Sequence, residues 1–464
     1  VSGGLFWRHV SPTRIPRDRP GTSSRGDVAR SPAFCQSFPA ARKTAILLSS
    51  IALCAFSHLA AAPAPDDSTA RTSRWQEDLD FFARQLPARQ IDFSQLMPGD
   101  KFERSVAELK REVPQLSDQD ILFELMRIVA GLGVAHTGVA FGSIKDFNVR
   151  TYPVQMQWFS DGLAVVAATP EHQEALGCRV VRIGSLTPEQ AEAAVAPYIP
   201  HENNAWLHAQ SPRYLNLVEL MQREKIADAN GRLQLTLAKA GGGEFTLEIR
   251  PAGRGQSSRK MVKADDALPI PAGLKRKHPG ASYWFEYLPD TQTLYLQYNK
   301  CANETNNPFT GFAKALFAFA DAHPVQRVVV DLRFNAGGSS SIVKPLVEGL
   351  KSRPALNAQG HLYVLIGSQT FSSGVFAVMD FRTDLHALLV GEPTGNKPNH
   401  YGLQQNFALP NSRLMVHYSA RHFRLMPDAD PPTVEPDIMA PTSLADFLAG
   451  RDPALAAALR QPSQ

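Results

Sequence analysis

Ser372 and Ser373, in the stretch SQTFSSG (368–374), stand between an apolar run and a segment whose apolar residues fall at helical spacing. A hydroxyl at a helix start sits among free N–H groups and the positive end of the helix dipole, where developing negative charge is favoured. Serine becomes a nucleophile only when a neighbouring base takes its proton. Lys397, in GEPTGNKPNHYG (391–402), offers an amine that burial or nearby charge can bring from a pKa of about 10.4 toward 7. Gly337 and Gly338, in RFNAGGSSS (333–341), let backbone N–H groups approach a ligand as an anion-binding nest. His136, in GLGVAHTGV (131–139), is an imidazole alternative to the amine. Each feature alone reads as a cap, a turn, a solvated lysine or a backbone-satisfied histidine. Together they supply a hydroxyl, a base and an oxyanion hole, which is the equipment of acyl transfer.

The segment from 281 to 446 has to bring these residues together. Strand-like TLYLQYN, RVVVDL, HLYVLIG and ALLVGEP alternate with helix-like GFAKALFAFADAH, SIVKPLVEGLKS and SSGVFAVMDFRTDL. The unbroken run Val328–Leu332 suits a strand buried on both faces, so the spacing predicts an α/β core with a mixed, largely parallel sheet and crossover helices. Reactive loops of such sheets gather at the carboxyl ends of the strands, which makes the loops bearing Gly337, Ser372 and Lys397 neighbours.

Upstream, 63–150 reads as an N-terminal helical segment, with Ser117 and Asp118 as caps for a stripe of Ile121, Leu122, Leu125, Ile128 and Val129. Residues 153–252 read as a small α+β module of short strands and one helix opened by Thr187 and Pro188, and 253–280, rich in Pro, Gly and Lys, as a linker. Residues 1–62 read as a leader and signal peptide: Arg42 and Lys43 precede an apolar run of about 16 residues that ends at Ala60-Ala61-Ala62. A secreted or periplasmic protein with no stable membrane span in the mature chain is expected.

The 464 residues are 44% apolar, enough for two or three domains. The formal charge of +4 comes from the leader, where residues 1–43 hold eight Arg or Lys against two Asp, so no nucleic-acid footprint is read. Cys178 and Cys301, the two cysteines beyond the leader, either pair or stay as separate buried thiols. No H-E-x-x-H spacing occurs, and no Lys-Ser/Thr follows the glycines as a phosphate loop demands, so neither metal nor cofactor is expected.

VVVDLRFNAGG, TFSSG and LLVGEPTGNKPNHYG, with VAHTGV before them and VEPDI (434–438) after, resemble the tail-specific, or C-terminal processing, serine peptidases. The likeness is good over roughly 285–440, fair around His136 and weak between. It implies that Ser372 is the nucleophile and that Lys397, 25 residues on, is its base as in Ser/Lys members. It also implies a tricorn-like alternative in which His136 is the base and Asp430 the acid. Gly337, Gly338 and Ser373 would form the oxyanion hole, the module at 153–252 would be PDZ-like, and extended or unfolded polypeptides would be the substrate. Gly374 and Val375 depart from the small-small-Glu that many members show. The competing expectation is a catalytically inactive secreted protein that binds a peptide or another ligand on the same fold.

Overall fold

The computed structural model describes residues 67–252, 261–270, 273, 274, 277, 278 and 280–460; the expected leader lies outside them, as do parts of the expected linker. Helices Asp67–Arg89, Gly99–Glu112 and Asp118–Ala130 come first. The third begins where Ser117 Oγ accepts the Asp120 N–H at 3.1 Å and Asp120 Oδ2 accepts the Ser117 N–H at 3.3 Å. Such a reciprocal cap is worth about 1 kcal/mol. The predicted stripe is buried, and the chain leaves the helix through Gly133 at φ +66° into strand β1 (Gly138–Val139), with His136 between.

Strands β2 (Val154–Phe159), β3 (Gly162–Ala168), β4 (Arg179–Ile183), β5 (Leu233–Ala238) and β6 (Glu244–Ile249) make an antiparallel sheet in that order, and β7 (Val262–Lys263) adds to β3. The helix Pro188–Val195 carries the expected Thr187 cap. Two further helices, Asn204–Tyr214 and Val218–Arg223, are not signalled by the apolar pattern, because the first contains Pro212 and has no clear apolar stripe. Val154, Leu163, Val180 and Leu235 of this region share one continuous core with Phe82 and Leu125 of the opening helices. The module is thus welded to the N-terminal segment by apolar packing.

The central sheet runs β8 (Tyr283–Leu288), β9 (Thr293–Tyr298), β10 (Arg327–Asp331), β11 (Leu362–Ile366) and β12 (Leu388–Gly391), parallel except for β8. Helices Phe309–Ala322, Lys344–Lys351 and Ser373–Thr383 connect successive strands and pack on one face, where Val328 and Val330 meet Leu316, Leu346 and Val378. Val329 points to the other face, under the helix Pro453–Arg460. Burial on both sides is what the unbroken valine run requires.

A long hairpin, β13 (Asn399–Ala408) and β14 (Met415–Arg424), pairs with β1 as a third sheet, while β15 (Ile438–Met439) extends the central sheet beside β12. The alternation of apolar runs does not announce the hairpin, because its middle, Gln404-Gln405-Asn406, is exposed and polar. Among the described residues, no helix is long and apolar enough to cross a membrane.

Where β10 gives way to the glycine loop, Arg333 donates to fully buried Asp331 at 2.6 Å and to Asp452, just before the last helix, at 2.8 Å. Tyr295 OH also donates to Asp331, at 2.7 Å. Arg333→Met strands the Asp331 carboxylate in the core and is expected to lower the unfolding free energy in urea by roughly 3–5 kcal/mol. A loss below about 1 kcal/mol would show that the pair is dispensable.

Candidate active site

The loop after β11 is held at several points before it reaches Ser372. Thr370 Oγ1 donates to the Leu332 carbonyl at 2.9 Å and accepts from the Gly367 N–H at 3.1 Å, and the Phe371 N–H donates to the Asn335 carbonyl at 3.0 Å. Ser372 then sits at φ 53°, ψ −127°, immediately before the helix Ser373–Thr383, and its side chain makes no cap hydrogen bond. A β-carbon in this region costs about 1–3 kcal/mol unless the surroundings hold it there. The hold is visible: the Ser372 N–H donates to Asn396 Oδ1 at 3.0 Å, and Asn396 is fully buried. A strained serine on a strand-to-helix turn presents its hydroxyl outward.

Ser373 differs. It is buried, and its hydroxyl donates to the Gly338 carbonyl at 2.7 Å. Gly337 lies so close that a β-carbon there would come 2.7 Å from Ser372 Cβ and 2.9 Å from Ser373 N, at φ +101°. Its own N–H donates to Asn335 Oδ1 at 2.9 Å and is not free for a ligand. Among the described residues the N–H groups of Gly338 and Ser373 donate to no protein acceptor. The helix then runs inward, with Gly374 against the Asn335 carbonyl and Val375 fully buried, so an acidic side chain at 375 would have no solvent.

His136 is buried, stacked on Phe371 at 4.5 Å between ring centroids and on His400 at 5.5 Å, and neither of its ring nitrogens has a hydrogen-bond partner. Phe371 carries Trp206 on a ring contact of 4.0 Å, so four rings from four segments are stacked next to the candidate nucleophile. Lys397 Nζ is ion-paired with Asp430 Oδ2 at 2.7 Å, with Asp430 largely exposed. The structure therefore joins Lys397 to Asp430, the two residues that the sequence reading divides between alternative bases, and leaves His136 without an acid on either nitrogen. Cys178 and Cys301 are separate buried thiols; Cys301 Sγ donates to Asn335 Oδ1 at 3.3 Å.

Asn396, His400 and Asn335 lie inside or beside the motifs quoted above, yet only the fold shows what they hold. Glu202 and Trp206 come from the module with no sequence signal. Glu202 Oε2 accepts from Asn396 Nδ2 at 2.6 Å, the backbone amides of Ala135 and Lys397 face it, and its Oε1 is buried without a partner. Beside this cluster a cleft of about 1760 Å³ separates β2 and the helix Asn204–Tyr214 from the central sheet's loops, and its walls include Trp158, His208, Glu202, Arg333 and Gln369.

Burial, then the neighbouring His400, pushes His136 down to about 3, and burial pushes His400 down to about 4. A depressed imidazole binds fewer protons folded than unfolded, so stability falls as pH drops below about 6.5. By pH 4 each ring withdraws roughly 3 kcal/mol. Glu202, raised by burial to about 7, acts in the opposite direction over the same interval. Two groups outweigh one, and Tm is expected to fall between pH 7 and pH 4. A level or rising Tm contradicts the buried neutral pair.

No protein-family model matches the chain, and no curated protein matches it. Solved structures do. Mature CPAF is 15% identical, with 84% of this chain and 96% of that one covered and a TM-score of 0.57. CPAF complexed with lactacystin is 14% identical, with 82% and 96% covered and a TM-score of 0.56. The photosystem II D1 C-terminal processing protease is 13% identical, with 82% and 98% covered and a TM-score of 0.38. The chain therefore shares the fold of mature CPAF. The likeness runs over nearly the full length of CPAF.

Proposed function

We propose that the chain is a serine peptidase that cleaves extended or unfolded polypeptides through an acyl-enzyme on Ser372. One observation carries the reading: a strained serine with an uncommitted hydroxyl stands beside two uncommitted backbone amides, those of Gly338 and Ser373. The Ser372 oxygen bonds to the peptide carbonyl carbon as its proton passes to a base, and the carbonyl oxygen, now an oxyanion, lies against those amides. The C–N bond then breaks, the base returns the proton to the leaving amine, and water releases the acyl group by the same route.

His136 is the base in this proposal. Its ring nitrogens have no partner, whereas Lys397 is ion-paired with Asp430; burial holds the imidazole's basicity down to about 3, so acting as base requires a carboxylate brought beside it. To reach the hydroxyl the imidazole has to leave its stack on Phe371, and Asp430 has to leave Lys397 to serve as its acid. The cleft of about 1760 Å³ exceeds small-molecule pockets of about 300–1,000 Å³ and suits a chain laid along the PDZ-like module; Glu202, Ser368 and Gln369 line it while Ser372 and Gly338 do not, so the substrate passes beyond its rim to reach the hydroxyl. With the leader at 1–62, the enzyme acts after export, in a secreted or periplasmic setting.

The unpartnered His136 nitrogens and the Lys397–Asp430 pair also favour a second reading, a ligand-binding protein that has kept the fold without the reaction. Incubation with an unfolded test protein separates the two. Cleavage that disappears in Ser372→Ala supports the peptidase, and no cleavage by the folded wild type supports the binder.

A further inference from the structure

We propose that Glu202 is a positioning residue for the nucleophile, fixing Ser372 through Asn396 and so tying the 153–252 module to the reacting centre. The inference rests on the assignment of Ser372 above. Asn396 is fully buried and bridges two groups, accepting the Ser372 N–H on Oδ1 at 3.0 Å and donating from Nδ2 to Glu202 Oε2 at 2.6 Å. A side-chain amide can turn over, and in the reversed orientation its NH2 would meet the Ser372 N–H while its oxygen met the carboxylate. A backbone N–H only donates and a carboxylate only accepts, so Glu202 admits one orientation alone. That orientation holds the Ser372 backbone in its left-handed conformation, φ 53°.

The rest of the segment reinforces the link. Asn203 Nδ2 donates to the Thr394 carbonyl at 3.2 Å and the Pro432 carbonyl at 2.8 Å, and Trp206 stacks on Phe371. Burying the Glu202 carboxylate is costly for stability alone, which points to a role in the site. The charged and titratable groups around it are Lys397, itself held by Asp430, and Tyr401, with the Ala135 and Lys397 amides facing the carboxylate. Burial raises Glu202 to about 7. Its protonation below that value relaxes the constraint on Asn396, and reactivity of Ser372 rises as pH passes upward through about 7.

The test measures fluorophosphonate labelling of the full chain across neutral pH in wild type, Glu202→Ala and Glu202→Gln, with hydrogen exchange of a peptide covering 368–376 as a second readout. Glu202→Ala is expected to label at least about tenfold more slowly, inside the hundredfold that a ~1 Å misplacement costs, with kcat reduced and KM unchanged. Glu202→Gln, which like the protonated acid can donate as well as accept and so no longer fixes the Asn396 orientation, is expected to label at the wild type's low-pH rate throughout and to lose the inflection near 7. In Glu202→Ala the 368–376 peptide exchanges faster. Wild-type labelling and exchange in Glu202→Ala, or a wild-type inflection in Glu202→Gln, overturns the proposal. If the wild type itself is never labelled, the peptidase reading fails separately, and exchange alone decides whether Glu202 positions Ser372.

Discussion

Ser372→Ala is expected to reduce peptide hydrolysis by at least about 10⁴-fold, while Ser373→Ala stays within about tenfold of wild type. The two hydroxyls are adjacent in sequence and opposite in circumstance. Ser373 is buried and its hydroxyl is spent on the Gly338 carbonyl, so its loss removes one neutral hydrogen bond of about 1 kcal/mol and leaves its N–H in place. Ser372 is strained and its side chain makes no cap bond. Rates measured on one unfolded protein substrate check both variants, and equal activity in the two would remove Ser372 from its assigned role.

His136→Phe is expected to cost about 10²–10⁴-fold in kcat, with Tm unchanged or raised. Phenylalanine keeps the stack between Phe371 and His400 and discards two buried nitrogens that have no partner, so packing is preserved while the proton acceptor is lost. Lys397→Met breaks a half-exposed ion pair, worth at most about 1 kcal/mol, and is expected to change kcat by no more than about fivefold. The reverse pattern, a silent His136→Phe and a dead Lys397→Met, would assign the base to lysine, as the Ser/Lys resemblance implies.

The central sheet was readable because valine and leucine runs of strand length alternate with helical spacing, a pattern that leaves β10 to β12 few alternatives. The convergence of the three loops followed from parallel winding, since each loop leaves the same end of the sheet. Side-chain pairing was less legible. Lys397 and Asp430 are 33 positions apart, and their contact depends on how the hairpin β13–β14 folds between them, a hairpin whose exposed polar middle gives no alternating signal. Glu202 was unreadable for a related reason: it precedes a helix broken in pattern by Pro212, and its meaning lies wholly in its reach to Asn396, 194 residues away. Sequence types show which groups could react, while their hydrogen-bond partners are decided by tertiary contacts.

The most direct measurement is covalent labelling of the folded full-length chain with a fluorophosphonate, followed by mapping of the modified peptide. The reagent reports a serine oxygen activated next to an oxyanion site, independent of any substrate. Attachment at Ser372, absent in Ser372→Ala and slowed in His136→Phe, is the predicted result. A folded protein that stays unlabelled, or one modified equally at Ser373, contradicts the account.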